Sequence, residues 1–123
     1  MPEFVSVRNP SRPRDQAPRL RLCTSFGSRL RGLMFRSRLS RDDGLILVSS
    51  TEDRIGAAVH MLFMRFPIAV IWLDAEKRVV DKVLAQPWRH ALLPTAAARY
   101  VLEVHPERLD EFSVGDQLEF VSG

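Results

Sequence analysis

The densest apolar stretch of the chain runs from Val59 to Asp74, VHMLFMRFPIAVIWLD, and consists of two hydrophobic runs split by Arg65-Phe66-Pro67. Each run has strand length and is rich in β-branched or aromatic residues. Ile68 to Leu73 is apolar at every position. A strand with one wet face alternates, so this pattern predicts a central strand buried on both faces. Around it, apolar runs and alternation predict strands at Leu20 to Cys23, Leu45 to Val48, Val59 to Met64, Val79 to Leu84, Arg99 to His105 and Gln117 to Val121. Phe4 to Val7 reads either as a first strand or as part of an arm.

The period changes once. Phe26, Leu30, Leu33 and Met34 fall at i, i+4, i+7 and i+8, which predicts a helix over Ser25 to Phe35 capped by Ser25 or Ser28. Gly32 inside it points to close packing on the sheet or an early end. Pro106 to Phe112 suits one short helical turn with proline at its start. Turns are expected at Arg41 to Gly44, at Asp74 to Lys77 and at Val114 to Asp116, with Asp74 bonding the amides that follow it. Asn9 to Pro18 reads as an extended loop, and Ser49 to Ala58 and Gln86 to Ala98 as two long polar loops. A doubly wound parallel sheet would need a helix at nearly every crossover. The expected fold is therefore mainly β: a compact antiparallel barrel or sandwich of about seven strands with one short helix packed on it. Residues 1–18 are expected to form an N-terminal arm, flexible in part, and 19–123 a single globular domain.

Composition narrows the class. At 123 residues, 46% hydrophobic and 27% charged, the chain is ordinary for one globular domain. No apolar run approaches the ~20 residues that span a bilayer, and the start has no signal-peptide core, so a cytoplasmic location is expected. Residues 1–41 carry ten arginines against Glu3 and Asp15, a net of +8, and residues 42–123 a net of −5. That asymmetry suits either a basic arm for an acidic partner or a solvated face that pairs with the acidic remainder. Arginine outnumbers lysine 16 to 2 throughout, which favours the solvated face. The single cysteine, Cys23, excludes an internal disulfide and reads as a small buried residue.

The run Arg31-Gly32-Leu33-Met34-Phe35-Arg36, then Leu39, Gly44 to Leu47, His60 to Met64, Pro67-Ile68, Trp72 to Asp74, Val101 to Glu103 and Gly115-Asp116 follow one another in a recognisable order. The chain resembles the domain of unknown function 192 family over roughly Leu20 to Val121. The resemblance implies a compact, mainly β domain with a short helix carrying the RGLM run, and it implies no activity. It also marks departures. Ala69 stands where the family usually has an aspartate, Arg65-Phe66 replaces a common Lys-Asn-Thr run, and Val104-His105-Pro106 replaces a small-residue and glycine pair. A chemistry that depended on that aspartate would be missing here.

Candidate chemistry is sparse. Arg31, Met34 and Arg36 on the helix, His60, Met64 and Arg65 in the central stretch, and Trp88 with Arg89 in the second loop are the candidate ligand-binding residues. A pocket lined by methionine and aromatic side chains with arginine at its rim suits a small apolar-anionic or planar ligand. Phe63 and Trp72 read as core, while Trp88, between Pro87 and Arg89, reads either as core or as a binding anchor. His60, His90 and His105 are far apart and show no metal-ligand spacing, so no metal and no cofactor are expected. Asp74, Asp81 and Glu103 could form an acid–base pair, yet Asp74 suits a turn and Glu103 suits pairing with Arg31 or Arg36. The favoured reading is a non-catalytic module that binds a small molecule or a protein. The alternatives are a small hydrolase or lyase using His60 or a carboxylate, and weak nucleic-acid association through the arginine-rich N-terminal third, which the lack of interleaved aromatics in Asn9 to Leu22 disfavours.

Overall fold

The computed structural model describes residues 4–10, 18–24, 39–55, 57–59, 61, 64–89 and 92–122. They build seven strands, β1 (Phe4–Arg8), β2 (Arg19–Cys23), β3 (Gly44–Asp53), β4 (Ile68–Leu73), β5 (Val79–Ala85), β6 (Ala98–Val104) and β7 (Glu119–Ser122), and a 3-10 helix over Pro106–Glu111. The strands form one sheet in the order β5-β4-β6-β3-β2-β1-β7. Every pairing is antiparallel except β2 with β3, which run parallel. A parallel pair needs a long crossover between its strands. The predicted Ser25 to Phe35 helix lies in that connection, outside the described residues.

The sheet curls into a half-barrel, and its two edge strands meet at one end. Arg78 and Gln117 form a β-bridge there. The Val79 amide donates to the Asp116 carbonyl at 2.9 Å, Gly115 to Val79 at 2.8 Å and Leu118 to Lys77 at 3.0 Å. The Lys77 ammonium lies 5.5 Å and 5.3 Å from the ring centres of Tyr100 and Phe120, tying the same corner together.

β4 is buried at all six positions, as its unbroken apolar run predicts. Its neighbours are β5 and β6, with Val70 opposite Val83 and Glu103. Ala69, Ile71 and Leu73 enter the core enclosed by the curl, with Leu102, Phe112 and Leu118. Ile68, Val70 and Trp72 enter an outer core together with Met61, Met64 and Val101. At roughly 1.5–3 kcal/mol per large apolar side chain removed from water, this strand is a main source of stability for both layers.

Two predicted elements differ. Ser49 to Asp53 continues β3 instead of opening a loop. Its register on β6 shifts between Val48 and Asp53, and Ser50, Thr51 and Glu52 point their polar groups to solvent. Polarity there marks a wet edge, not the end of pairing. Val59 to Met64, in contrast, shows no strand among its described residues. Among its described residues only Val59 bridges another segment, at Leu92, and the Met64 amide turns back to the Met61 carbonyl at 3.2 Å. Val59, Met61 and Met64 are apolar because they are buried.

The 3-10 helix closes the enclosed core and is held by charge. His105 Nδ1 accepts from the Glu107 amide at 3.1 Å, and Lys82 Nζ donates to the carbonyls of Leu109 and Phe112 at 3.1 Å and 2.8 Å. Arg108 is buried. Its guanidinium donates to Glu111 Oε1 at 2.7 Å, to the Arg41 carbonyl, and to Asp42 Oδ1 at 3.4 Å. Arg41 in turn reaches Glu107 at 2.7 Å, so an N-terminal arginine does pair with the acidic remainder.

Removing Arg108 would leave Glu111 as a buried charge with a weaker partner, Arg41 at 3.7 Å. Arg108→Ala is expected to cost about 3 kcal/mol in urea unfolding. Arg108→Lys should recover little of it, because an ammonium cannot span three acceptors as a planar fork does. At Gly44 an added Cβ would lie 2.5 Å from the Glu103 carbonyl oxygen and 2.7 Å from Leu20 Cδ2. Gly44→Ala is expected to lower stability by about 1–3 kcal/mol in the same assay, since the backbone oxygen cannot give way.

Candidate functional site

The outer core is roofed by two connections, the one between β3 and β4 and the one between β5 and β6. They are laced to each other. The Val59 and Leu92 backbones exchange bonds of 2.9 Å and 2.7 Å, Met61 donates to the Arg89 carbonyl at 2.8 Å, and Trp88 donates to the Met61 carbonyl at 2.7 Å. Trp72 Nε1 donates to the Ala57 carbonyl at 2.7 Å and pins this roof to β4. Farther along, Arg54 Nε reaches the Pro94 carbonyl at 2.8 Å and Asp81 Oδ2 accepts from the Thr95 amide at 3.0 Å.

Two described non-glycine residues lie at positive φ, Lys77 at 65° in the turn after Asp74 and Trp88 in the second connection. Trp88 sits at φ 68°, directly after Pro87, and its residue is 57% exposed. Turns ordinarily give that conformation to glycine or asparagine. A bulky side chain held there is strained, and such strain is a pointer to function. Arg89 follows it and Arg65 lies just past Met64, both exposed. The backbone bonds to Met61 bring these segments to one place. Of the predicted site residues, then, Met64 is a core residue, while Arg65, Trp88 and Arg89 are exposed on the two segments that the Met61 backbone bonds join. Arg31, Met34, Arg36 and His60 lie outside the described residues, as do Phe63 and His90.

The carboxylates separate by role. Asp74 Oδ1 accepts from the Glu76 and Arg78 amides at 3.0 Å and 2.9 Å, which is turn chemistry. Glu52, Asp74 and Glu76 crowd within 4.8 Å, and the Glu52 carboxylate accepts from the Ala75 amide at 2.6 Å. Glu103 is different. It is only 5% exposed, and no described residue forms a hydrogen bond or ion pair with its carboxyl group. On β6 it lies opposite Leu45 of β3 and Val70 of β4, both outer-core residues, so its side chain belongs to the face under the roof. Burial pushes its pKa from 4.5 up to about 7. The signal in the sequence was its phase: Glu103 alternates with Leu102 and shares the parity of Val101, which places an acid on a buried face.

A raised carboxyl pKa means that the folded protein binds the proton more tightly than the unfolded chain. Stability then falls as pH rises from about 4.5 to about 7, and the loss is complete above that. The expected loss is on the order of 3 kcal/mol. Urea midpoints measured from pH 4.5 to 8 should show the wild type losing stability relative to Glu103→Gln across that window.

A protein-family model described as Uncharacterized ACR, DUF192, matches residues 7–120. A UPF0127 protein of Thermococcus gammatolerans is 45% identical over 82 residues, which cover 67% of this chain and 52% of that protein. A UPF0127 protein of Pyrococcus furiosus is 41% identical over 103 residues, 82% of this chain and 85% of its own. The matched region thus spans about half the length of the Thermococcus gammatolerans relative. Among solved structures, a "putative transcription regulator" from Sinorhizobium meliloti superposes with a TM-score of 0.82 at 20% identity, covering 98% of this chain and 94% of that one. A protein of unknown function from Novosphingobium aromaticivorans gives 0.78 at 24% identity, covering 96% and 84%. At those identities the structures share the fold and nothing more specific. The chain belongs to the DUF192 family, whose members compared above are uncharacterised proteins.

Proposed function

We propose that this protein is a non-catalytic binding module, and that it holds a small apolar-anionic or planar ligand at the patch formed by Arg65, Trp88 and Arg89. The observation that carries the reading is Trp88, exposed at positive φ and tied by its own amide to the central segment. An aromatic ring flanked by guanidinium groups can stack on a ligand while the cations meet its negative charge. The carboxylates favour binding over acid–base chemistry. Asp74 is spent on its turn, Asp81 on the Thr95 and Lys82 amides, and Glu103 is sealed below the roof.

A thermal-shift screen of small anionic and planar compounds on the full chain tests the proposal. A compound at 100 times its dissociation constant should add about 2.7 kcal/mol, several degrees for a domain of this size. Trp88→Ala should abolish the shift. Trp88→Gly should abolish it too while keeping the turn, because glycine accepts the same φ. A shift that survives both substitutions places the ligand elsewhere and overturns the reading.

A further inference from the structure

The β2-β1-β7 end of the sheet carries cations that the fold leaves unspent. On β1, Val5 and Val7 enter the enclosed core, so Phe4, Ser6 and Arg8 point away from it. On β2, Leu20 enters the same core, which puts Arg19 and Arg21 on the outer face with Phe4. The register agrees: Phe4 lies opposite Arg21, and Ser6 lies between Arg19 and Val121. Arg8 and Arg19 are exposed and Arg21 is half-buried. Arg41, Arg54, Arg99 and Arg108 each donate to an acceptor. Among the described residues, no hydrogen bond or ion pair engages the guanidinium of Arg8, Arg19 or Arg21. Glu119, opposite Arg8, is the only carboxylate on the outer face of these three strands. Arg19 and Arg21 stand about 7 Å apart on one strand. An anionic partner would offset the repulsion between these like charges.

Strand pairing also supplies the aromatic residue that the arginine-rich segment lacks. Asn9 to Leu22 contains none, which taken alone argues against nucleic acid. The antiparallel β1–β2 pair brings Phe4 beside both arginines of β2. The Arg19 guanidinium lies 5.1 Å from the centre of its ring, and Phe4 is still 37% exposed. Aromatic rings and guanidinium planes both stack on nucleobases, while neighbouring guanidinium groups meet phosphates.

We propose that this face binds single-stranded nucleic acid, with a base stacked at Phe4 and the phosphates of the strand on Arg8, Arg19 and Arg21. The site is separate from the ligand patch at Trp88, to which β1, β2 and β7 contribute no residue. A base can stack on Phe4 only when it is unpaired, and the described face is a sheet surface with no helix to enter a groove. Both features favour a single strand over a duplex.

The test is fluorescence anisotropy of a labelled oligothymidylate of about twelve nucleotides, titrated with the full chain at several salt concentrations. Three phosphate contacts on a single strand predict a slope of log affinity against log salt of about −2 or steeper. That is a loss of about twentyfold between about 50 and about 200 mM salt. Arg8→Gln, Arg19→Gln and Arg21→Gln should each flatten the slope by about 0.7. Phe4→Ala should weaken binding about tenfold with the slope kept, and Phe4→Trp should restore it. Glu119→Gln, which removes the one carboxylate, should tighten binding. Arg54→Gln, an equal loss of charge on the β3–β4 connection, should leave the slope unchanged. Thermal unfolding of each variant checks that it is folded. The absence of binding even at low salt overturns the proposal, and so does equal or tighter binding of a duplex of the same length. If Phe4→Ala binds as well as the wild type, the face attracts any polyanion and the proposal fails. If Arg54→Gln flattens the slope as much as Arg19→Gln, binding follows net charge and the site is misplaced.

Discussion

A strand that is apolar at six successive positions has to be covered twice. β4 imposes this on the whole molecule. The curl of the sheet and the 3-10 helix supply one cover, and the roof of laced connections supplies the other. The corner where Arg78 meets Gln117 follows from the first cover, since a sheet wrapped round its own core brings its edges together. The candidate site follows from the second. Irregular chain laid over a flat apolar face has to satisfy its own backbone groups. Here it does so by pairing one loop with the other, and the turn at Pro87-Trp88 is where that pairing begins.

What could be read from the sequence divides along the same line. The strands, the 74–77 turn and the short turn at Pro106 were legible because each depends on nearby residues: a pleat, an Asp that bonds the next amides, a proline at a helix start. The two misplaced strand limits share one cause. Polarity and apolarity report exposure, and exposure follows pairing only in the middle of a sheet. Ser49 to Asp53 is polar, yet β3 runs through it to pair Asp53 with Ala98, while Val59 to Met64 is apolar and bridged once among its described residues. The parallel β2–β3 pair was likewise invisible, because strand direction is set by where a connection returns and not by the strand's own residues.

The site was legible as a list of residue types and only partly as a place. Trp88 and Arg89 could be singled out as a loop aromatic beside a cation, and Arg65 as the break between two apolar runs. The joining of Trp88 and Arg89 to Met61 depends on two loops about thirty residues apart, which no local pattern encodes. Glu103 was weighed as one carboxylate among three. Its burial shows only when β3 and β4 are placed on either side of it and both bring apolar residues.

The pleat also decides what the departure at Ala69 means. Ala69 pairs with Val104 and belongs to the enclosed core, whereas its neighbour Val70 pairs with Glu103 on the roofed face. An aspartate at 69 would therefore look into the barrel interior, behind the sheet as seen from Trp88. Its replacement by alanine removes a charge from the core closed by the 3-10 helix, where Lys82 and Arg108 already have their acceptors, and leaves the roofed face with Glu103 intact. A function that depended on an acid at 69 and one that depends on Glu103 occupy opposite sides of the same strand pair. Losing the first puts no physical constraint on the second.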